Sequence, residues 1–116
     1  MYYTCNKRLN LEEARELYVE LAEELLKRVN ADKKLRPYLH NYPFTINNIK
    51  INCRFEDGPG EYVPEGFIYS ACNIGDKLHY DEYVFYKDGK KHITKGKYKG
   101  VLVETYEEAL AFVKNR

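Results

Sequence analysis

The sequence predicts an α+β fold in two layers. A long N-terminal helix packs on a three- or four-stranded antiparallel sheet, and a short C-terminal helix completes the chain. Three observations carry this reading. Apolar residues recur with helical spacing from Leu11 to about residue 30, apolar and polar residues alternate from Ile49 to Glu56, and a Gly75-Asp76 pair separates two strand-like runs. The 116 residues are read as a single α+β domain, 1–116.

The helix opens on Asn10, whose side chain can cap the first turn while Glu13, three residues on, returns the bond. At 100° per residue the six glutamates from Glu12 to Glu24, with Lys27, fall in an arc of roughly 120°. Leu11, Ala14, Leu17, Tyr18, Leu21, Ala22, Leu25, Leu26 and Val29 take the rest. That apolar arc is too wide for a coiled-coil seam and suits a helix laid across a sheet. Asn30 and the charged run after it end the helix, and Pro37 forbids its continuation.

The stretch "RPYLHNYPFTI" (36–46) is rich in apolar surface for a connector. Leu35, Tyr38, Leu39, Tyr42, Phe44 and Ile46 are read as a plug closing the open end between helix and sheet, with Pro37 and Pro43 lowering the entropy lost in ordering it. The alternative is an exposed aromatic surface, with Tyr38, Tyr42 and Phe44 gripping a partner.

In "NIKINCRFE", Ile49, Ile51, Cys53 and Phe55 share one face of a half-buried strand. "DGPGEYVPEG" (57–66) reads as a loop. A two-residue turn at Gly75-Asp76 pairs Ile74 with Lys77, Cys72 with His79 and Ser70 with Asp81. A second tight turn is expected at "KDGK" (87–90), and a fourth strand near His92–Lys95 or Lys99–Val103. Thr105 and Glu108 repeat the capping box and open a helix with Tyr106, Ala109, Leu110 and Val113 on one face.

"RPYLHNYPFTINNIKI", with "LEEARELYVELAEELLKRVN" upstream and "ETYEEAL" at the end, resembles a group of small uncharacterised bacterial proteins. These share an N-terminal amphipathic helix, an RPYL-x-NYPFT-like connector, a strand and a terminal TYEEAL helix. The resemblance implies a shared fold and export of some relatives. It carries no catalytic or binding residues.

Nineteen basic and eighteen acidic side chains leave the chain almost neutral, so no global field points to nucleic acid or membrane. No apolar run approaches the ~18 residues of a membrane span. "MYYTCNKRLN" lacks the order of a signal peptide, so the chain reads as cytoplasmic if Met1 is the native start and exported if a leader has been removed. Cys5, Cys53 and Cys72 form neither a disulfide framework nor a zinc ribbon. His40, His79 and His92 are scattered, and neither calcium loops nor phosphate-cradling glycine motifs occur, so no metal and no cofactor is expected.

The hairpin register brings Cys72, His79 and Asp81 to one face as a nucleophile, a base and an orienter. A flat strand offers them no pocket and no oxyanion hole, so a cysteine-dependent enzyme is the outside reading and a non-enzymatic protein the leading one. From Lys87 to Lys99 six lysines face a single acid, Asp88. Lys90, Lys91, Lys95 and Lys97 could bind phosphates or anionic headgroups, or instead protect a sheet edge from pairing. Twelve tyrosines and no tryptophan suit either a half-buried sheet face or a binding surface. The expectation is therefore a protein-interaction module with a protein partner. An anion-binding protein acting through residues 87–99 is the alternative, on nucleic acid or an anionic membrane.

Overall fold

A computed structural model describes residues 1–34, 37, 43–87 and 93–115, and of residues 85–87 and 93–95 the backbone alone. The chain is α+β, with strands β1 (Tyr2–Cys5), β2 (Asn52–Gly58), β3 (Glu61–Tyr62), β4 (Ser70–Ile74), β5 (Lys77–Lys87) and β6 (Ile93–Thr105). Helices α1 (Leu11–Ala31) and α2 (Tyr106–Lys114) complete it. Both helices begin on the capping boxes written in the sequence. The Asn10 side chain accepts from the Glu13 N–H at 2.9 Å, and Thr105 Oγ1 accepts from the Glu108 N–H at 3.1 Å. Each cap satisfies donors that a helix start leaves open.

The sheet runs β1-β2-β4-β5-β6, with β3 paired to β2. It is mixed and six-stranded, a correction to the three- or four-stranded antiparallel sheet expected. β1 pairs with β2 in parallel, Tyr3 opposite Cys53 and Cys5 opposite Phe55. Parallel neighbours need a long crossover, and α1 with its connector supplies it. β1 has no signature in the sequence, because four residues of mixed character show no readable period. β3 is a two-residue strand inside the segment read as a loop. β6 is one continuous strand that takes in both alternatives for the fourth. It pairs with β5 as far as Lys87↔Ile93, and the tight turn expected at 87–90 lies, from residue 88 on, outside the described residues. The β4–β5 hairpin has the expected register, with Gly75 at φ +61° in the first turn position and Asp76 on the ordinary side. That combination is a II′-type turn, in which the first central residue must be glycine.

α1 lies on one sheet face. Ala14 and Ala22, both fully buried, let the helix come close, and Tyr18 and Val19 fill the space between. Facing them are Ile51, Cys53 and Phe55 of the β2 segment, Ala71 and Asn73 of β4, and Leu78 and Tyr80 of β5. Asn73 is 1% exposed and ties the layer together. Its Oδ1 accepts from the Ile51 N–H at 2.8 Å and lies 3.0 Å from the Tyr18 hydroxyl. Its amide nitrogen donates toward the carbonyls of Ile49 and Gly75, both at 2.9 Å, and lies 3.3 Å from that of Ile46. A second polar group closes the α1–β6 side. Arg15 binds Glu104 through Nε at 2.9 Å and Nη2 at 2.6 Å, the guanidinium stacks 3.7 Å from the Phe112 ring centroid, and Tyr80 donates to Glu104.

Of the expected plug, Leu35, Tyr38, Leu39 and Tyr42 lie outside the described residues. Ile46 is buried, in the 3-10 turn Ile46–Asn48, and Phe44 is half-buried. The Asn30 side chain grips the Phe44 backbone on both sides, accepting from its N–H at 2.7 Å and donating to its carbonyl at 3.0 Å. The last turn of α1 thus fixes where the chain turns back toward the sheet.

The core predicts alkaline unfolding. Burial pushes the hydroxyls of Tyr18, Tyr80 and Tyr106 well above the usual phenol range, helped at Tyr80 by Glu104 and at Tyr106 by its bond to Glu23. Burial also pushes the Cys53 thiol up to about 12. Groups raised on folding give stability that is complete below their unfolded pKa and is lost as pH climbs toward the folded value. Three such phenols make stability fall by up to about 4 kcal/mol per pH unit above pH ~10, with Cys53 beginning nearer ~8.5. Ultraviolet absorbance should show Tyr18, Tyr80 and Tyr106 ionising only as circular dichroism is lost. Titration of all twelve as one group in a folded protein would refute this. No described helix is long and apolar enough to cross a membrane.

Candidate functional site: the uncovered sheet face

Strand alternation sends every second side chain away from α1. Asn52 and Arg54 on β2, Ser70 and Cys72 on β4, His79 and Asp81 on β5, and Val103 on β6 project from the other face, and neither helix packs on that face. Two irregularities shape it. The Tyr69 N–H donates to the Asp81 carbonyl while Ser70 is the ladder partner of Asp81, so two residues of one chain stand against one of the other. Such a bulge turns the Tyr69 ring onto the open face and sends Ile68 into the core. On the β5–β6 ladder the register slips between Tyr80 and Asp81, beyond which Tyr83 stands opposite Tyr98.

Four tyrosines meet there. Tyr62 stacks on Tyr69 at 5.5 Å and on Tyr83 at 5.1 Å between ring centroids. Tyr83 meets Tyr98 edge to face at 5.2 Å. These are the offset and T-shaped geometries that aromatic quadrupoles favour. Tyr69 is 6% exposed at the centre, while Tyr62 and Tyr98 remain 49% and 59% exposed. Gly96 is part of the arrangement, because a Cβ there would run into the Tyr83 ring lying across β6. Burial pushes the Tyr69 hydroxyl up, with Tyr98 adding to it and Arg54 opposing. The Arg54 guanidinium is held charged first by Tyr69 and then by Glu56, which it meets at 3.0 Å.

Beside the cluster runs a trough of about 350 Å³. Asn52, Ser70 and Cys72 make a low floor, Tyr2 and Thr4 of β1 form one bank, and Tyr69 and Tyr98 form the other. A smaller recess of about 160 Å³ between Arg54, Glu56, Gly60 and Tyr62 adjoins it.

The structure brings the expected trio to this face, Cys72 opposite His79 and Ser70 opposite Asp81. Among the described residues no hydrogen bond joins Cys72 to His79. Burial pushes the Cys72 thiol up and Asp81 pushes it further, with Lys50 opposing. Burial likewise raises the Asp81 carboxyl. These shifts run opposite to those that make a nucleophile. Tyr38 and Tyr42 lie outside the described residues, and Phe44 is half-buried against the end of α1 rather than free. Lys90 and Lys91 also lie outside them, and of Lys95 the backbone alone is described. Lys97 is exposed, but it stands opposite Val84 on the face away from Tyr98. Among the described side chains of β6, Lys97 and Lys99 therefore do not share a face with Tyr98. No group of three or more metal-ligating side chains occurs among the described residues.

The tyrosine cluster was not visible in the sequence. Its members come from a loop strand, a bulge and two strands in slipped register, and the only advance signal was the tyrosine count. Fold and face together define an α+β protein whose described residues leave one sheet face roofed by a helix and the other covered by neither helix. No family model, curated protein or solved structure matches the chain.

Proposed function

We propose that the chain is a non-enzymatic protein-interaction module whose ligand-contacting surface is the open sheet face. One observation carries this. A preformed cluster of four tyrosines, two of them half-exposed, stands beside a trough on a face that neither helix covers. Tyrosine supplies large, rigid contact area with little entropy to lose, and aromatic residues are enriched where proteins bind each other. Tyr2, Ile74, Val101 and Val103 widen the exposed apolar area around it. The raised Cys72 thiol supports a non-enzymatic reading of the same face.

Small apolar probes test this before any partner is known. Titrating labelled protein with phenol and isopropanol should shift the amides of Ser70, Cys72 and Tyr98 most. Tyr98→Ala should abolish those shifts while changing stability by no more than about 1 kcal/mol, as exposed positions do. Gly96→Ala should weaken them by displacing Tyr83. Shifts centred instead on Leu26, Phe44 and Ile46, which line a separate groove, would sink the proposal.

A further inference from the structure

We propose that the outer edge of β6, which no described strand pairs with, is a second docking site, which takes up an extended segment of a partner protein, with alternating acidic and apolar residues, as a further strand of the sheet. Tyr98 borders both this edge and the trough, so the two readings are told apart by Lys97 and Lys99 on the edge and by Ser70 and Cys72 on the trough floor.

The argument begins with topology. Among the described strands β6 pairs with β5 alone, and at 13 residues it is the longest strand. Its outer backbone groups are a template for main-chain hydrogen bonds, which supply affinity whatever the partner's sequence. The opposite edge, β1, has only four residues and offers no comparable length.

Side-chain alternation then sets what chemistry fits. From Lys97 to Val101 every residue is exposed, and Val103 is 54% exposed. Lys97 and Lys99 point to one face and Tyr98 to the other, and beyond the slip that leaves Val101 without a ladder partner Val103 returns to the Tyr98 face. An incoming strand places its own alternate residues beside these two rows. Carboxylates complement the lysine row, and aliphatic or aromatic groups complement the other. The acid on β6, Glu104, is buried against Arg15, so the exposed charge between Lys97 and Val103 is wholly positive. Lys99 does face Glu82 across the ladder, but the Glu82 carboxylate also accepts from the Gly66 N–H at 2.6 Å.

The same charge disfavours the other occupants. Two copies pairing edge to edge would set lysine rows against each other, a repulsion that sheet edges use to stay monomeric. Nucleic acid would meet lysines as point charges, with Tyr98 on the wrong face to stack a base and no arginine on β6 to fork a phosphate.

The test uses the full chain and three synthetic peptides of about ten residues, enough to span ~33 Å of strand. One alternates Glu and Val, one alternates Lys and Val, and one is the acidic peptide with alternate amides N-methylated. The acidic peptide should shift and protect the amides of Lys97 to Val103. The basic and N-methylated peptides should bind at least tenfold more weakly. The exposed double variant Lys97→Glu/Lys99→Glu, confirmed folded by circular dichroism, should invert the preference between acidic and basic peptides. Equal binding of the two, no binding of either, or shifts confined to Ser70 and Cys72 would overturn the proposal. So would protection of β6 amides that grows with protein concentration alone, which marks a second copy. A short DNA duplex competing with the acidic peptide at equal affinity would overturn it in favour of phosphate binding.

Discussion

Asn73→Ala should cost about 4–6 kcal/mol, the largest loss expected from any single side chain, because buried groups left unpaired cost ~1–3 kcal/mol each and the cavity adds to that. Asn73 ties α1, the stretch Ile49–Ile51 and its own hairpin turn together through one side chain. Its carbonyl oxygen serves the Ile51 N–H and the Tyr18 hydroxyl, and its amide serves the carbonyls of Ile49 and Gly75. Truncation strands the Ile51 N–H and takes a donor from the Ile49 and Gly75 carbonyls in a site where Asn73 itself is 1% exposed, while the Tyr18 hydroxyl keeps the Ile51 carbonyl at 2.9 Å. Against a total of ~6–15 kcal/mol for a domain of this length, most molecules would be near unfolding at physiological temperature. Asn73→Asp refines the test, because it keeps an acceptor for Ile51 and removes both donors. It should be nearly as damaging, since a buried carboxylate then faces carbonyls. Urea denaturation of both variants beside the parent decides the matter. A loss under about 1 kcal/mol for Asn73→Ala would show that water or rearrangement replaces the network.

Arg15→Met should follow closely, with a loss of about 3–5 kcal/mol, because it leaves Glu104 buried without its cation. The side chains of this pair are 13% and 5% exposed, the bond is bidentate, and Phe112 covers the guanidinium face. The pair's net worth is a different quantity from the cost of breaking it. Replacing all its members with apolar groups, Arg15→Met, Glu104→Leu and Tyr80→Phe together, should recover most of the loss, since none is then left charged or unpaired. Melts of the single and triple variants measure this directly. A single variant as stable as the parent would mean that Glu104 reaches solvent or takes up a proton without penalty.

How much of the site was legible follows from where its members lie. The Cys72–His79 and Ser70–Asp81 pairs could be written down in advance, because a two-residue turn at Gly75-Asp76 leaves one register. The tyrosine cluster could not. Tyr69 reaches the open face through a bulge, Tyr83 lies beyond a register slip, and its contact with Gly96 joins residues whose pairing depends on the hairpin's far end. Each irregularity moves a side chain to the other face or to another partner, and none leaves a mark in local composition.

Local physics, read from the sequence, determined the helix caps at Asn10 and Thr105, the inward face of Ile51, Cys53 and Phe55, and the glycine-led hairpin. Each depends on residues within a few positions of one another, where spacing and backbone preference suffice. The tertiary structure alone decided the rest. β1 is a strand because β2 accepts it in parallel after the α1 crossover, and its four residues would not hold an extended form alone. Asn73 reads as a surface polar residue until Tyr18, Ile49 and Gly75 close around it. Arg15 and Glu104 look like solvated charges until α1 lies on the sheet and buries them together. These outcomes join residues far apart in the chain, and their energies arise only when burial removes the water that would otherwise satisfy them.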